Sequence, residues 1–449
     1  MKDTIIALAT PLGRSGIGVI RLSGPDSLSI VRKLVGNKNF DPKPRFASLQ
    51  KIYDPETKEV LDETVVTYFQ SPQSFTGENV FEISGHGSPI VLRQIIDLCL
   101  QLDARMAEAG EFSLRALANG RLNLSQAEAI RDLIDAQSIA SARQSIRQLR
   151  GELSGELQPV KDDLLDVIVI LESTLEFVED DLPALQAQNI KKKLFTISAE
   201  LEKMASTFQA GKLLREGLKV ALVGRPNVGK SSLFNALLGQ DRAIVTAIAG
   251  TTRDQLREKF TIKNIPISLI DTAGLRETSD TVESIGVERS RRTMADADLV
   301  VVLIDGTENL TVEDTNLLDQ VKDLNYLVAI NKTDLEQLKI NLDKQLKALH
   351  ISAKTGEGLD ELQNAIIEPF LVSNTENTGF LISDARHYDL LRRSILEIET
   401  SIHLINENAS EEITLIGLHN ALRFLGEITG ETTNEDMLTR IFSTFCIGK

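Results

Sequence analysis

The spacing of hydrophobic and polar residues changes along the chain, and each spacing predicts a different kind of element. Over residues 1 to about 117, apolar residues alternate with polar ones in short runs such as GIGVIRLSG (16–24) and NVFEISGHG (79–87). This alternation is typical of strands that are buried on one face. A helical run, PIVLRQIIDLCLQL (89–102), interrupts them. We therefore predict an α+β domain over residues 1–117.

Helical spacing replaces this alternation over residues 118–217. In VKDDLLDVIVILESTLEFVED (160–180), for example, apolar residues recur at three- and four-residue intervals. Strand-like and helix-like runs then alternate over residues 218–375, as a parallel α/β sheet requires. Helical spacing returns over residues 376–449. The chain is thus predicted to be multidomain.

The order of these regions predicts an insertion. A compact domain whose ends lie close together can be placed inside another domain without disrupting it. We expect residues 118–217 and 376–449 to form one α-helical bundle domain, interrupted by the α/β domain of residues 218–375. The alternative is two separate helical domains, one on each side of the insertion.

A phosphate-binding loop follows the first strand of the predicted α/β domain. The segment GRPNVGKS (224–231) has the pattern G-x-x-x-x-G-K-S and lies between an apolar run and a helix-like stretch, the context that gives this motif its meaning. Gly224 and Gly229 allow the backbone N–H groups to point inward at phosphate oxygens. Lys230 can reach the β- and γ-phosphates, and the Ser231 hydroxyl can bind Mg²⁺.

Two further segments follow strand-like runs. In DTAG (271–274), Asp271 can hold Mg²⁺ through water, and Gly274 can donate its N–H to the γ-phosphate. In NKTD (331–334), the Asp334 carboxylate can accept hydrogen bonds from the N1–H and the 2-amino group of guanine. Adenine lacks both donors and would leave the acid unpaired.

A third segment, SAK (352–354), can support the base from the next strand end. The order and spacing of all four segments match a Ras-like GTPase, so we predict that the nucleotide is GTP rather than ATP. The residues predicted to bind GTP are Asn227, Val228, Gly229, Lys230, Ser231, Ser232, Thr246, Ala247, Ile248, Ala249, Gly250, Thr251, Thr252, Asp271, Thr272, Ala273, Gly274, Asn331, Lys332, Asp334, Ser352, Ala353 and Lys354.

Hydrolysis needs a group that positions the attacking water, and the usual residue is missing. The position after the D-x-x-G motif holds a glutamine in Ras-type enzymes, but it holds Leu275 here. Either hydrolysis is negligible or another group positions the water. Glu277, Asp280 and Glu283 follow in the same loop, and a carboxylate there can polarise water directly or through a second water.

The positive charge that stabilises the transition state has two candidate sources. Arg253, Arg257 and Arg276 are close enough in sequence to supply a guanidinium. Alternatively, a monovalent cation such as potassium takes that place, bound by the side-chain carbonyl of Asn227 and by backbone carbonyls of residues 246–252.

The segment GTTRD (250–254) looks like the first switch, in which a threonine completes the Mg²⁺ shell. Spacing alone leaves Thr251 and Thr252 both open for this role.

Composition and charge narrow the functional classes. At 449 residues, the chain is long enough for about three domains of ~150 residues each. No apolar stretch approaches the ~20 residues of a membrane span, and the N-terminus has neither a secretory signal nor a transit peptide. Two cysteines exclude a disulfide framework and fit a reducing cytosol. The net charge of −16 argues against wrapping nucleic acid with the whole surface.

The whole chain resembles one family, the MnmE (TrmE) tRNA-modification GTPases. The matching segments are distributed along its length and include Asn227 in the phosphate loop. They are TPLGRSGIGVIRLSG (10–24), SFTGE (74–78), AGEFSLRALANGRLNLSQAEA (109–129), GTTRD (250–254) and FCIGK (445–449). The last of these is unusually specific.

The resemblance implies a fold and a function. Such proteins work with a flavoprotein partner, MnmG, in a heterotetramer or a larger complex. They add aminomethyl or carboxymethylaminomethyl groups at C5 of the wobble uridine of certain tRNAs in the cytoplasm. The one-carbon unit comes from a tetrahydrofolate derivative, in the 5-formyl or the 5,10-methylene form. The N-terminal domain of the family binds this folate and forms the homodimer, and the inserted α/β domain is a potassium-activated GTPase.

The resemblance also implies roles for individual residues. Arg21, Glu78, Arg121 and Lys449 match the positions that contact folate, although the position of Arg121 is often lysine, so the charge is kept while the geometry differs. A cationic group can pair with the glutamate tail of folate, and a carboxylate suits the N–H groups of the pterin.

The family pattern extends to the metal ions and the catalytic acid. Asn227, Thr246, Ile248 and Thr251 match the K⁺ shell, and pairing of two nucleotide domains in K⁺ is the activation step of the family. Ser231 and Thr252 match the Mg²⁺ ligands, and Glu283 matches the catalytic acid.

Two alternative roles are open for Cys446. A thiolate of Cys446 could attack C6 of uridine and so activate C5, or the thiol is unreactive.

Two other functions are alternatives to tRNA modification. One rival is a ribosome-assembly GTPase, which predicts a basic RNA-binding appendage that this acidic chain lacks. The other is a binding module that uses GTP as a conformational clock. Neither rival needs folate.

Overall fold

The computed structural model describes residues 3–176, 184–240, 257–271, 294, 296–338, 348–370, 379–407, 409–431 and 435–448. The chain divides into two compact units. The first comprises residues 1–131, 148–161 and 422–449, and the second comprises residues 132–147 and 162–421. The boundaries of the domains predicted from the sequence stay predictions.

The first unit contains a mixed sheet whose six described strands have the order β3-β4-β5-β2-β1-β6. Its neighbouring strands are antiparallel except for β1 and β6, which are parallel. The strands are β1 Thr4–Leu8, β2 Ser15–Ser23, β3 Ala47–Tyr53, β4 Val60–Phe69, β5 Val80–Gly87 and β6 Ala104–Met106. The helices beside them are α1 Ser27–Leu34, α2 Pro89–Gln101 and α3 Glu111–Ala118.

The alternation along β2 assigns its side chains to two faces of this sheet. Ile20 and Leu22 lie in the core that α1 and α2 cover. Ile5 and Ala7 of the neighbouring strand β1 lie instead in a small cluster with Phe112 of α3. Because side chains alternate along a strand, Arg21 and Ser23 lie on the face away from the α1–α2 core. The alternating pattern of residues 16–24 therefore correctly predicted a strand that is buried on one face.

The last residues of the chain pack within the first unit. Phe442 and Phe445 form a cluster with Leu124 and Ala127. Ile447 pairs with Ala109 in an antiparallel bridge, which sets the tail against the residues that precede α3.

The second unit contains a sheet whose six described strands have the order β12-β11-β10-β7-β9-β8. Its pairs are parallel except for β8 and β9, which form an antiparallel pair. The strands are β7 Leu218–Val223, β8 Arg257–Ile262, β9 Ile265–Asp271, β10 Leu299–Asp305, β11 Tyr326–Asn331 and β12 Ala348–His350. The helices of this region are α9 Lys230–Gln240, α10 Val312–Val321 and α11 Leu359–Ile367, followed by a 3₁₀ turn, Glu368–Phe370.

Both faces of this sheet are covered, as the unbroken apolar runs predicted. Val301 and Leu303 of β10 pack with Leu233 of α9 on one face, while Val300 and Val302 pack on the other face against α10. In this sheet, β9 and β8 lie on one side of β7, and β10, β11 and β12 lie on the other side. The chain forms the first side before it crosses β7 to form the second. Ligands of open α/β sheets bind at such a switch point, outside the carboxyl ends of the strands.

Helices make up the rest of the described chain. They are α4 Leu124–Asp135, α5 Ile139–Leu149, α6 Glu152–Glu176, α7 Ala184–Ser206, α8 Phe208–Glu216, α12 Ala385–Asn406, α13 Glu411–Thr429 and α14 Glu435–Phe442. Within the second unit, α7 packs against α12, and Phe208 stacks on Tyr388 at 4.3 Å between ring centroids. Helical segments from before and after the nucleotide domain therefore pack together, as expected for a helical domain with an insertion. None of the described helices is long and apolar enough to cross a membrane.

Candidate functional site

The phosphate loop begins where β7 ends, and two of its glycines are required by close packing. A Cβ on Gly224 would lie 2.5 Å from the carbonyl oxygen of Leu303 on β10. Gly229 has φ 100°, a region that favours glycine, and a Cβ there would lie 2.3 Å from Nδ2 of Asn331. Asn227 also has a positive φ, 65°. The backbone therefore curls tightly before α9 begins at Lys230.

The side chain of Lys230 folds back over the loop. Its Nζ donates to the carbonyl oxygens of Gly224 at 2.6 Å and Arg225 at 2.8 Å, and the residue is 8% exposed. An ammonium held beside a ring of backbone N–H groups is suited to polyphosphate, because phosphate oxygens can replace the carbonyls as its partners.

Asn331 joins three of the predicted nucleotide segments. Its Nδ2 donates to the carbonyl of Val228 in the phosphate loop at 2.8 Å, and its Oδ1 accepts from the backbone N–H of Ala353 at 2.9 Å. The residue is 2% exposed. Both ends of its amide are therefore used to hold the phosphate loop and the SAK segment against the end of β11.

Ser352 aligns the acid that is predicted to recognise guanine. Its hydroxyl donates to Oδ1 of Asp334 at 2.7 Å and accepts from the N–H of Thr355 at 3.1 Å. Nζ of Lys354 lies 3.9 Å from Oδ2 of Asp334, whose side chain is 15% exposed. A half-desolvated carboxylate fixed at one oxygen offers its remaining lone pairs to two parallel N–H donors.

Lys332 is anchored to a carboxylate that the sequence did not single out. With φ 71°, it extends its Nζ to Oδ2 of Asp305, at the end of β10, at 2.5 Å. Burial raises the pKa of Asp305, but hydrogen bonds from Lys332 and Thr307 outweigh it and hold that pKa below its ordinary value. The ion pair holds the aliphatic part of the Lys332 side chain in place beside Asp334.

Asn227 and Ser231 offer oxygen donors of the kind that K⁺ and Mg²⁺ prefer. Both residues are exposed, as is Ser232 beside them in the first turn of α9. Among the described residues, the side chain of Asn227 has no hydrogen-bond partner, so its amide oxygen is available to a cation.

Several predicted residues lie outside the described residues, and these predictions are not tested. They are Thr246, Ala247, Ile248, Ala249, Gly250, Thr251, Thr252, Arg253, Thr272, Ala273, Gly274, Leu275, Arg276, Glu277, Asp280, Glu283 and Lys449. Of Arg257 and Asp271, only the backbone is described, at the start of β8 and the end of β9.

The predicted folate residues that the structure describes lie in the first unit. Nη2 of Arg21 pairs with Oε1 of Glu82 on β5 at 2.7 Å, and its Nη1 donates to the carbonyl of Gly448 at 3.4 Å. Its guanidinium carbon lies 5.6 Å from the ring centroid of Phe75 and 5.8 Å from that of Phe112. The C-terminal tail, which carries Lys449, thus reaches Arg21.

Residues of α3 and of the turn after it hold the segment SFTGE (74–78) in place. Nδ2 of Asn119 donates to the carbonyl of Thr76 at 2.7 Å, and Nε of Arg121 donates to the carbonyl of Ser74 at 3.1 Å. Arg121 is itself exposed. Gly77 has φ 81°, and a Cβ there would lie 2.9 Å from Cβ of Asn119, so this segment packs closely on the turn.

Glu78 has a partner that the sequence reasoning missed. It accepts from the hydroxyl of Ser23 at 2.7 Å and from Nη1 of Arg115 at 3.1 Å. The side chain of Arg115 is fully buried. Glu111 and Arg115 stand four residues apart, a spacing that pairs side chains within a helix, but it gives no sign of the bond from Arg115 to Glu78.

The two cysteines differ in their surroundings. Cys99 is buried in the core of the first unit, and burial raises the pKa of its thiol to about 12. Cys446 is exposed, in the tail that pairs with Ala109. Of the two thiols, only that of Cys446 is accessible to a reagent or substrate.

Two family models match this chain, and they cover most of it. One, described as MnmE helical domain, matches residues 124–446, and the other, described as GTP-binding protein TrmE N-terminus, matches residues 4–121. Among curated relatives, tRNA modification GTPase MnmE of Aquifex aeolicus (strain VF5) is 43% identical over 452 residues. The proteins of the same name from Koribacter versatilis (strain Ellin345) and Desulforamulus reducens are 43% and 41% identical. Each alignment covers the whole of both chains.

Proposed function

The chain belongs to the MnmE family of tRNA modification GTPases, and we propose that it binds and hydrolyses GTP in the course of modifying tRNA. The two hydrogen bonds of the Asn331 side chain are the observation that most supports this proposal. One amide ties the phosphate loop, through Val228, to the segment beneath the base, through Ala353. The two ends of a nucleotide site are thereby held at a fixed spacing.

Guanine selectivity follows from the acid beside this amide. The carboxylate of Asp334, aligned by Ser352, suits the adjacent N1–H and 2-amino donors of guanine. Adenine presents no donor pair at this edge, so binding it would leave a desolvated carboxylate unpaired, which costs about 1–3 kcal/mol or more. The base is therefore guanine.

We propose that hydrolysis depends on K⁺ and Mg²⁺. The exposed amide of Asn227, which has no hydrogen-bond partner within the described part of the chain, supports a K⁺ site that Thr246, Ile248 and Thr251 complete. Ser231 and Thr252 take Mg²⁺. When bound, these cations supply the positive charge that stabilises the phosphates as negative charge develops on them. Glu283 acts as the catalytic acid that positions the attacking water in place of the glutamine that this chain lacks.

In the first unit we propose a site for a tetrahydrofolate derivative, in the 5-formyl or the 5,10-methylene form. Glu78 provides a carboxylate for the N–H groups of the pterin, while Arg21, Arg121 and Lys449 provide cations for the anionic tail. The surroundings of Arg21 support this proposal, since they bring a cation, two aromatic rings and the C-terminal tail together.

The proposal also covers the partners of this chain and its location in the cell. The chain acts as a homodimer, formed by its N-terminal domain, together with the flavoprotein MnmG in a heterotetramer or a larger complex. Their product carries an aminomethyl or carboxymethylaminomethyl group at C5 of the wobble uridine. The reaction takes place in the cytoplasm, where the buried thiol of Cys99 and the exposed thiol of Cys446 stay reduced.

Turnover of GTP in KCl and in NaCl tests the cation mechanism. We expect the purified full chain to hydrolyse GTP much faster in KCl, and Asn227→Ala to lose this stimulation while it retains nucleotide binding. Asn235→Ala, on the exposed face of α9, is the matched control and should behave as the wild type. Equal, slow rates of the wild type in the two salts would contradict the mechanism.

Mass spectrometry of wobble uridines tests the wider function. Cells that lack this protein should lose the C5 modification, and the full chain should bind 5-formyltetrahydrofolate. A ribosome-assembly GTPase would leave the uridines modified, and a module that only binds GTP would show no turnover. Either result excludes the proposal in favour of that rival.

A further inference from the structure

We propose that Arg115 is a positioning residue of the folate site, which holds the carboxylate of Glu78 in a fixed orientation. This inference rests on the folate site proposed above and adds to it a residue that no sequence motif for the ligand includes. Arg115 itself is fully buried, so it acts on folate through Glu78 rather than by contact.

The guanidinium of Arg115 is bonded on all sides. Nη1 donates to Oε2 and Oε1 of Glu78 at 3.1 and 3.2 Å, and to the backbone carbonyl of Asp3 at 2.8 Å. Nη2 donates to Oδ1 of Asp3 at 3.0 Å and to Oε1 of Glu111 at 2.9 Å. A planar guanidinium with this many hydrogen-bond partners has a single orientation, and it fixes the groups that it binds.

Glu78 is fixed from the other side as well. The Ser23 hydroxyl donates to Oε2 at 2.7 Å, and the Ser74 hydroxyl donates to the backbone carbonyl of Glu78 at 2.6 Å. The backbone N–H of Glu78 donates to Oγ1 of Thr76 at 3.2 Å. A carboxylate can accept about four hydrogen bonds, so the one bond from Ser23 and the two from Arg115 leave capacity for about one donor of a ligand.

The charges around Glu78 explain why it needs a buried arginine. Asp3, Glu78 and Glu111 are three carboxylates, and Arg105 donates to both Asp3 and Glu111. With Arg115 present, two guanidiniums face three acids, and the cluster carries one net negative charge. Within the described part of the chain, other charged groups on this face include Arg121, whose Nε donates to the carbonyl of Ser74, and the pair of Arg21 and Glu82.

Removing Arg115 should release the carboxylate of Glu78. Of the bonds to this carboxylate described above, only that from the Ser23 hydroxyl to Oε2 would remain, so the carboxylate could rotate. An acceptor that must be ordered when the ligand binds contributes less to affinity. Folate binding should therefore weaken when Arg115 is replaced by an uncharged side chain.

Binding of 5-formyltetrahydrofolate to the full chain tests the inference, by calorimetry at pH 6, 7 and 8. Arg115→Met should bind about tenfold more weakly than the wild type at each pH, the equivalent of one lost charge-assisted hydrogen bond. Arg115→Lys, which retains the charge without the planar guanidinium, should recover part of this loss but not all of it.

Controls separate this role from a merely structural one. Arg93→Met, at an exposed arginine that pairs with Asp97 on α2, should match the wild type at each pH. GTP turnover in the second unit and the circular dichroism spectrum report whether each variant folds. If Arg115→Met does not fold, the inference is tested with Arg115→Lys instead. An affinity of Arg115→Lys for folate equal to that of the wild type would overturn the inference.

The outcomes also separate this inference from the proposed function. A wild type that does not bind folate contradicts the folate site itself. A wild type that binds, together with an Arg115→Met variant that binds with the same affinity, leaves the folate site in place and refutes the role of Arg115.

Discussion

Gly229 and Asn331 lie so close together that a single added carbon would collide with the amide. A Cβ on Gly229 would lie 2.3 Å from Nδ2 of Asn331, which donates to the carbonyl of Val228, the residue before it. The phosphate loop thus has no room to move toward the segment that holds the base. The two parts of the nucleotide site are coupled by direct packing as well as by a hydrogen bond.

This contact makes Gly229→Ala a sharp test of the site. Alanine at φ 100° is strained by about 1–3 kcal/mol, and its Cβ would displace Asn331. We expect GTP affinity to fall by more than about tenfold, as measured with a fluorescent GTP analogue. Gly239→Ala, where a Cβ meets nothing within 4 Å, is the control in the helix that follows the loop. An affinity of Gly229→Ala equal to that of the control would show that the contact is unimportant.

Asp334→Asn should change the preferred base. Ser352 can still donate to the side-chain oxygen, so the amide nitrogen would face the base and present a donor where guanine also has donors. Xanthine has a carbonyl in place of the 2-amino group and should bind better. We expect GTP affinity to fall by about tenfold or more, with a relative gain for XTP, in competition experiments. Asp360→Asn, at an exposed position of α11, should leave both affinities unchanged.

Much of the nucleotide site could be predicted from the sequence because each of its motifs is a short continuous segment. GRPNVGKS (224–231) carries its own glycines, lysine and serine, and the apolar runs before it and before NKTD (331–334) predicted the buried strands β7 and β11. Each motif follows the end of its strand. In a parallel sheet those ends lie on one edge, so the pattern predicts where the motifs meet.

The bonds between distant residues could not be predicted in this way. Arg115 binds Asp3 and Glu78, which are far from it in sequence, and no spacing rule links them. Asn331 was predicted to contact the nucleotide, but its partners, Val228 and Ala353, follow from the order in which β7, β10, β11 and β12 lie in the sheet. Likewise, the contact of Arg21 with Gly448 joins the two ends of the chain.

The two thiols should differ in reactivity. Burial raises the pKa of Cys99 to about 12, so at pH 7.5 it is neither ionised nor accessible, whereas Cys446 is exposed. We expect a thiol reagent such as DTNB to label the native chain at Cys446 alone, and Cys446→Ser to abolish the labelling. Cys99→Ser is the matched control and should label as the wild type does. Rapid labelling of Cys99 in the folded chain would contradict its burial.

Arg215 stabilises the last turn before the nucleotide domain. It lies in α8, its Nε is 2.9 Å from Oδ2 of Asp132, and its Nη1 is 2.7 Å from Oδ2 of Asp384. Arg215→Met would remove the guanidinium that pairs with two largely buried carboxylates. We expect the variant to lose about 3 kcal/mol of stability, measured as the first unfolding transition in urea. Lys212→Met, at an exposed position of the same helix, should lose less than about 0.5 kcal/mol.

The loss should depend on pH in a defined direction. Burial raises the pKa of Asp384, but His387, Arg215 and the backbone N–H of Arg386 outweigh it and hold that pKa below its ordinary value. Its contribution to stability is therefore present above pH 3.8 and is lost as the pH falls through the lower folded value. Without Arg215 the pKa of Asp384 should rise, so that the acid takes up a proton more readily on mild acidification. The difference in stability between wild type and Arg215→Met should then be larger at pH 7 than at pH 5, and an equal difference at both pH values would refute this coupling.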